Sequence, residues 1–302
     1  MALNPDQAND FDALHPGRAG AAGPTRRTAL LAAAGLGYAA AAGPLAAQTV
    51  VRTPADGLVA GPVTYEVGGF RVPAYRAAPA GRSNLPVVLI VHEIWGVHEY
   101  IADTARRFAR AGYLAIAPDL FARQGDASSF TDTGRLLSEL VSRVPDAQVL
   151  GDLDGALRWA GSNGGDVARA GITGFCWGGR IVWLHAAQAS QTSLRAGVAW
   201  YGRLVGATND LTPRHPLDVG ATLRAPVLGL YGGQDAGIPL DTVDKMKAQL
   251  AGGSAAAKAS QFVVYPDAGH AFHADYRPTF RAGPAEDGWN RALAWFKTHG
   301  VS

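Results

Sequence analysis

The feature that most constrains the fold is the hexapeptide Gly-Phe-Cys-Trp-Gly-Gly at residues 174–179. It has the pattern Gly-x-nucleophile-x-Gly, with a cysteine at the centre. Residues 170–173 before it favour a short strand, and the apolar residues 180–189 after it favour a helix. This context is typical of a nucleophile elbow, where glycines let neighbouring backbone pass close to a strained central residue. The pattern therefore predicts an α/β fold that presents Cys176 at a strand-to-helix turn.

The predicted position of Cys176 suits a reactive thiolate. At the N-terminus of the helix, the dipole and the unpaired N–H groups stabilise an anion. Cys176 is the only cysteine of the chain, so no intrachain disulfide forms. A lone cysteine with a histidine elsewhere is a candidate catalytic pair. The alternative is a buried structural cysteine in a glycine-rich turn, because free cysteines are among the most buried residues.

The N-terminal segment, residues 1–47, is interpreted as an export signal. Arg26 and Arg27 precede an uncharged run of mostly Ala, Leu and Gly, and small residues follow at Ala46 and Ala47. This order is typical of export signals, and the paired arginines resemble the twin-arginine type. We therefore expect cleavage near Ala47 and a periplasmic or secreted mature protein. The run is short and alanine-rich for a membrane span, so no stable membrane anchor is expected. The alternative is a disordered cytoplasmic N-terminus.

The remaining residues, 48–302, are predicted to form one domain with a doubly wound, mainly parallel sheet. Two strands flank a Gly-Gly turn at residues 68–69, which indicates a hairpin. Further on, apolar strand patterns alternate with helical patterns, as in a parallel sheet covered by helices on both faces. Composition predicts three further stretches: a helix at 133–143, a surface loop at 202–224 and a small-residue linker at 251–259.

Charge and motifs exclude several classes of function. The formal net charge is +2 and there is no long basic run, so no nucleic-acid partner is expected. The glycine fingerprints of nucleotide-binding loops are missing, so no such cofactor is expected. Histidines occur in pairs around residues 92–98 and 270–273, but no ligand motif spaces them for a metal ion.

Four polar residues follow predicted strand ends: Glu93, Cys176, Asp235 and His270. In open α/β sheets, ligands bind at the carboxyl ends of the strands. The order Cys176, Asp235, His270 is nucleophile, acid and base, which is the chain order of α/β-hydrolases. Taken singly, Asp235 could cap a helix, His270 could be structural and Glu93 could be a solvated carboxylate. Together they predict acyl-transfer chemistry by a thiolate, an imidazole and an orienting carboxylate.

Acyl transfer also needs donors for the developing oxyanion. The fold usually supplies the backbone N–H after the nucleophile and one from the loop after an earlier strand. By position, these are the N–H groups of Trp177 and Ile94. Their side chains are expected to form pocket walls.

From about residue 63 to the C-terminus, the chain resembles the dienelactone hydrolase (carboxymethylenebutenolidase) family of cysteine-dependent α/β-hydrolases. Four motifs carry the resemblance: His-Glu-Ile-Trp-Gly at 92–96, Ala-Pro-Asp-Leu-Phe-Ala-Arg at 117–123, the hexapeptide at 174–179 and Gly-His-Ala-Phe at 269–272. The resemblance implies a catalytic triad of Cys176, Asp235 and His270, with Glu93 activating the thiol as substrate enters.

The resemblance also implies residues that bind the substrate. Arg123 would meet a substrate carboxylate, a role that suits a guanidinium, and Trp95 would contact the substrate. The family's second arginine lies four residues after the histidine, where this chain has Ala274. Whether Arg277 takes its place is left open. The expected partner is therefore a small ester or lactone. A broad carboxylesterase and a non-catalytic binding or thiol-redox protein are the alternatives.

Overall fold

The computed structural model describes residues 52–188 and 194–302, and these build one eight-stranded sheet. The spatial order of the strands is β1-β2-β4-β3-β5-β6-β7-β8. The strands are β1 (Leu58–Val67), β2 (Phe70–Pro79), β3 (Leu85–Val91), β4 (Leu114–Pro118), β5 (Gly165–Phe175), β6 (Leu194–Trp200), β7 (Val227–Gly232) and β8 (Gln261–Tyr265). The predicted doubly wound, mainly parallel sheet is confirmed.

The antiparallel part of the sheet is confined to its first edge. β1 pairs with β2, and β2 pairs with β4, both antiparallel, whereas all other neighbours are parallel. The β1–β2 turn is made by Gly68 and Gly69, whose φ values of 57° and 78° favour glycine. Every residue of β3 is buried, as expected for a central parallel strand covered on both faces.

Eight α-helices are described. They are α1 (Glu99–Arg110), α2 (Thr133–Arg135), α3 (Asp146–Ser162), α4 (Trp177–Ala186), α5 (Pro216–Val219), α6 (Leu240–Ala251), α7 (Ala255–Ala259) and α8 (Ala282–Thr298). Short 3₁₀ turns occur at Ala127–Ser129, Val141–Arg143 and Gly220–Thr222, and a π turn occurs at Leu136–Leu140. No helix in the described part of the chain is long and apolar enough to cross a membrane.

Two glycines of β5 show that helices cover both faces of the sheet. A Cβ on Gly171 would lie 2.8 Å from the ring of Phe296 on α8. A Cβ on Gly174 would lie 2.4 Å from the carbonyl oxygen of Gly178 on α4. Because positions three apart in a strand face opposite sides, α8 and α4 lie on opposite faces. The missing side chains let both helices pack close to the strand.

The three stretches assigned by composition differ from expectation in detail. The predicted helix at 133–143 breaks into α, π and 3₁₀ turns. The hydroxyls of Ser138 and Ser142 donate to backbone carbonyls there, and such hydrogen bonds compete with those of a regular α-helix. The loop at 202–224 contains α5, which starts at a proline suited to a first helical position. The linker at 251–259 contains α7, because the hydroxyl of Ser254 caps it.

The predictions for residues 1–47, including the export signal and its cleavage site, lie outside the described residues. The helix expected at 180–189 begins earlier, at Trp177, and ends at Ala186. This earlier start puts Cys176 at the N-cap of α4.

Candidate active site

The predicted site residues lie at the carboxyl ends of parallel strands. Glu93 follows β3, Cys176 follows β5, Asp235 follows β7 and His270 follows β8. β3 and β5 are neighbours, and so are β7 and β8, with β6 between the two pairs. Since parallel strands end at the same edge, the four side chains belong to one rim of the sheet.

Cys176 has the strained backbone of an elbow residue. Its φ of 55° and ψ of −115° lie in a region that non-glycine residues rarely adopt. The Cys176 N–H donates to the carbonyl of Trp200 (3.0 Å), and its own carbonyl accepts from the Gly179 N–H (3.0 Å). A Cβ on Gly178 would lie 2.3 Å from the carbonyl oxygen of Val91, so the turn requires glycine there. The elbow is thus wedged between β3 and β6.

Asp235 and His270 form a buried hydrogen-bonded pair. The Nδ1 of His270 lies 2.6 Å from Oδ2 of Asp235. Burial disfavours the charged ring, but the neighbouring side chains of Asp235 and Cys176 outweigh it and hold the pKa of His270 well above its ordinary value. The other nitrogen, Nε2, is buried and is bonded to no oxygen or nitrogen within the described residues, and the Cys176 side chain is the second group that raises the pKa of the ring. The ring is therefore oriented by Asp235 while Nε2 stays available.

Glu93 is fully buried in a cluster with His98, Tyr276 and Arg277, called here the Glu93 cluster. Its Oε2 accepts from the Tyr276 hydroxyl (2.7 Å), lies 3.0 Å from Nε2 of His98 and lies 3.2 Å from Nη2 of Arg277. Burial alone would raise the pKa of Glu93, but the charge of Arg277 and the two hydrogen bonds lower it to about 2. Glu93 is therefore a carboxylate at neutral pH.

His92 holds the segments that carry the two predicted oxyanion donors. Its Nε2 accepts from the Leu120 N–H (3.1 Å), so its Nδ1 carries the proton and donates to the carbonyl of Glu93 (2.6 Å). Burial lowers the pKa of His92 to about 4, which keeps the ring neutral. The ring also stacks on Trp177 at 5.5 Å. It thereby contacts both the elbow and the backbone next to Ile94.

The N–H groups of Ile94 and Trp177 stay predicted oxyanion donors, and the structure places both residues just beyond strand ends. Ile94 is buried in the loop after β3, and Trp177 is the first residue of α4. No turn or loop hydrogen bond within residues 52–188 and 194–302 uses either N–H. Trp95 is half-buried and packs against the core, beside Ile94 in the same loop.

Arg123 has partners of its own away from the Glu93 cluster. It forms an ion pair with Asp152 of α3, donates to the carbonyl of Val67 (3.3 Å) and lies over the ring of Phe70 at 4.4 Å. These contacts join the β1–β2 hairpin to α3. Arg277, by contrast, reaches Glu93. Among the described residues, Arg277 contacts the predicted site residue Glu93, and the substrate-binding roles of Arg123 and Arg277 stay predictions.

Sequence reasoning missed His92, His98 and Tyr276 as parts of the site. His92 and His98 flank the loop of Glu93, and Tyr276 immediately precedes Arg277. Their position near named site residues was the only available signal. Among the described residues, no group of three or more His, Cys, Asp or Glu side chains is arranged to hold a metal ion.

Comparison with known proteins shows the family of this chain. A family model described as "Dienelactone hydrolase family" matches residues 72–300. A relative from Methylorubrum extorquens AM1, named "Putative carboxymethylenebutenolidase", is 54% identical over 279 residues, covering 92% of this chain and 94% of that protein. A relative of the same name from Escherichia coli K12 is 54% identical over 265 residues, covering 87% and 96%.

A solved structure agrees with these relatives. The "Putative Dienelactone Hydrolase" from Klebsiella pneumoniae is 52% identical, with a TM-score of 0.76, and the match covers 80% of this chain and 98% of that one. Both the sequence and the arrangement of strands and helices are therefore shared over nearly the whole length of that protein. The chain belongs to the dienelactone hydrolase family and is a dienelactone hydrolase-like hydrolase with the α/β-hydrolase fold.

Proposed function

We propose that the protein hydrolyses a small ester or lactone through Cys176, Asp235 and His270. The observation that carries this proposal is the buried Asp235–His270 pair, in which Nδ1 of His270 lies 2.6 Å from Oδ2 of Asp235 and the pKa of His270 is held well above its ordinary value. An imidazolium beside a thiolate is the arrangement that activates a cysteine nucleophile. The membership of the hydrolase family supports the same chemistry.

The first half of the reaction forms a thioester. The sulfur of Cys176 attacks the carbonyl carbon, and the negative oxygen of the tetrahedral intermediate accepts hydrogen bonds from the N–H groups of Ile94 and Trp177. Collapse of the intermediate breaks the carbon–oxygen bond of the ester. The leaving oxygen takes the proton held on Nε2 of His270. In a lactone, that oxygen stays attached to the acyl group because it belongs to the same ring.

The second half regenerates the enzyme. A water molecule loses a proton to Nε2 of His270 and attacks the thioester carbon. The same two N–H groups stabilise the second tetrahedral intermediate, which expels the Cys176 thiolate and releases the acid. Asp235 holds the ring in the required tautomer in both steps and stabilises its positive charge.

Glu93 is proposed to accept the proton of the Cys176 thiol as substrate enters and to return it to the sulfur after the acid is released. A carboxylate whose pKa is about 2 is a weak base, so Glu93 becomes an effective proton acceptor only when the hold of Arg277 on it weakens. Arg123 and Arg277 both have carboxylate partners, Asp152 and Glu93. An anionic substrate must therefore compete with one of those partners. We propose that small neutral esters and lactones are turned over as well as anionic ones.

The experiment that tests the proposal compares Cys176→Ala and Cys176→Ser with the wild type on a p-nitrophenyl ester. Cys176→Ala is expected to stay folded, with a destabilisation of about 1 kcal/mol or less, and to lose hydrolysis. Cys176→Ser is expected to keep only weak activity, because the site would be arranged for a thiolate. Iodoacetamide is expected to inactivate the wild type. Full activity in folded Cys176→Ala, or after complete alkylation, would exclude the thiol mechanism.

A substrate screen separates the remaining alternatives. Lactones and linear esters are offered to the purified protein. Preference for lactones supports a dienelactone-type enzyme, and equal turnover of many linear esters supports a broad carboxylesterase. A protein that turns over neither, yet reacts reversibly with disulfides, is a thiol-redox protein.

A further inference from the structure

The peptide group between Glu93 and Ile94 is held from its carbonyl side. Its oxygen accepts hydrogen bonds from Nδ1 of His92 (2.6 Å) and from the Gly96 N–H (3.3 Å). The peptide bond is trans, so its N–H, which is that of Ile94, points in the opposite direction to its C=O. A side chain that fixes the carbonyl therefore also fixes the direction of the predicted oxyanion donor.

The ring of His92 offers one donor in one fixed direction. The Leu120 N–H donates to Nε2 (3.1 Å), so the proton of the neutral ring is on Nδ1. The ring is fully buried. It stacks on Trp177 with 5.5 Å between the centroids and meets the edge or face of Phe121 at 4.6 Å. These contacts leave the imidazole little freedom to turn, and the Nδ1–H stays aimed at the Glu93 carbonyl.

A hydrogen bond to the carbonyl also changes the strength of the N–H on the other side of the peptide. Linked hydrogen bonds polarise one another, so a carbonyl that accepts from His92 makes the Ile94 N–H a better donor. Donors that are aimed in advance at a developing oxyanion need no reorganisation during the reaction. The residue on which the His92 ring stacks, Trp177, carries the second predicted donor. One ring thus contacts the residues that carry both donors.

We propose that His92 is a positioning residue that orients and polarises the Glu93–Ile94 peptide as an oxyanion donor. The inference rests on the proposed function, in which the Ile94 N–H stabilises both tetrahedral intermediates. The bond is made to the backbone carbonyl of Glu93 and not to its carboxylate, so it is separate from the activation of the thiol. Its loss should slow attack on a carbonyl carbon and leave the other reactions of Cys176 unchanged.

Two amide substitutions separate the two hydrogen bonds of the ring. In His92→Asn the amide N–H lies near the place of Nδ1 and can still donate to the Glu93 carbonyl. In His92→Gln the amide lies near the place of Nε2 and can still accept from the Leu120 N–H. His185→Gln is the matched control. The His185 ring is also fully buried, but it lies in the last turn of α4, where its Nε2 is 3.2 Å from Oδ1 of Asp154.

The first readout compares hydrolysis of a p-nitrophenyl ester with alkylation by iodoacetamide. In His92→Gln, kcat should fall about ten- to hundredfold, less than the loss caused by removing a whole oxyanion donor. KM should change little, because the interaction forms only as the oxyanion develops. His92→Asn and His185→Gln should keep kcat within about threefold of the wild type. Alkylation forms no oxyanion, so its rate should be the same in the wild type and all variants.

Trifluoroacetone gives a second readout that needs no turnover. The sulfur of Cys176 forms a bond to its carbonyl carbon, and the electron pair of the C=O bond moves to the oxygen. The adduct thus carries the negative charge that the N–H donors stabilise, as a transition-state analogue does. Its inhibition constant should rise in His92→Gln by the same factor as kcat falls, and should stay at the wild-type value in His185→Gln.

Four results would overturn the proposal: an unchanged kcat in His92→Gln, an equal loss in His92→Asn, an unchanged inhibition constant, or alkylation that slows together with hydrolysis. Should His92→Gln fail to fold, His92→Leu replaces it, because leucine fills similar space and makes neither bond, and the same losses are expected. Failure of the proposed function is a separate outcome. It would show as ester hydrolysis that survives complete alkylation of the wild type, whatever the variants do.

Discussion

Gly178 offers a sharp test of how tightly the elbow is packed. It is the second residue of α4, and a Cβ there would lie 2.3 Å from the carbonyl oxygen of Val91 and 2.6 Å from that of His92. Ordinary contacts begin near 3.4 Å, so Gly178→Ala must move α4 or the end of β3 by about 1 Å. Both clashing atoms are backbone, so no side-chain rotation relieves them.

The expected loss of stability follows from two opposing effects. Alanine in a helix is favoured over glycine by about 0.5–1 kcal/mol. Forcing atoms into a packed interior costs about 1–3 kcal/mol, and more where backbone must move. We therefore expect Gly178→Ala to lower the free energy of unfolding by about 2 kcal/mol or more. Gly151 in α3 is the matched control, because its added Cβ would meet nothing within 4 Å. Gly151→Ala should stabilise the protein by about 0.5–1 kcal/mol.

Guanidinium-induced unfolding, followed by tryptophan fluorescence, measures both variants against the wild type. Ester hydrolysis of Gly178→Ala should fall as well, because the displaced carbonyls flank the loop that carries Glu93 and Ile94. A Gly178→Ala protein within about 0.5 kcal/mol of the wild type would refute the reasoning. So would equal effects of the two substitutions.

Three further predictions concern charge and processing. Arg123→Ala should destabilise the fold by about 1–3 kcal/mol, because it leaves the buried Asp152 unpaired. If Arg123 also binds a substrate carboxylate, the transition-state stabilisation calculated from kcat/KM should fall by a further ~2–4 kcal/mol for anionic lactones alone. Equal losses for neutral esters would contradict that role. The raised pKa of His270 should add stability that is complete below about pH 6.5 and is lost as the pH rises through the folded-state value. In denaturant unfolding at pH 6 to 9, Asp235→Asn should make the free energy of unfolding fall less steeply with pH. An unchanged slope would show that Asp235 does not raise the pKa of His270. Finally, mass spectrometry of the native protein should find an N-terminus near Gln48, in keeping with our proposal of export, whereas a start at Met1 or Ala2 would contradict it.

The elbow and the alternation of strands and helices along the chain could be predicted because their signals are local. A glycine-lined turn between an apolar strand and a helix leaves few conformations for the central residue, and Cys176 has the positive φ that the pattern requires. The strand patterns likewise predicted that Glu93, Asp235 and His270 would follow strand ends. In a parallel sheet, that information alone brings the four residues to one edge.

The direction of a long side chain was decided only by the tertiary structure. Arg123 and Arg277 both lie in loops beyond strand ends; the family resemblance implied a substrate contact for Arg123 and left the role of Arg277 open. The structure turns Arg123 towards Asp152 and buries Arg277 on Glu93. A flexible side chain goes to the strongest partner within reach, and that partner lies 29 residues away for Arg123.

The same holds for the groups that control the carboxylate. Tyr276 is bonded to Glu93 across 183 residues of sequence, and no periodicity or motif links positions so far apart. The sequence by itself determined which backbone turns form and which residues they present. The tertiary structure decided which buried charges meet, because burial, charge and hydrogen bonding act through distance in space and not along the chain.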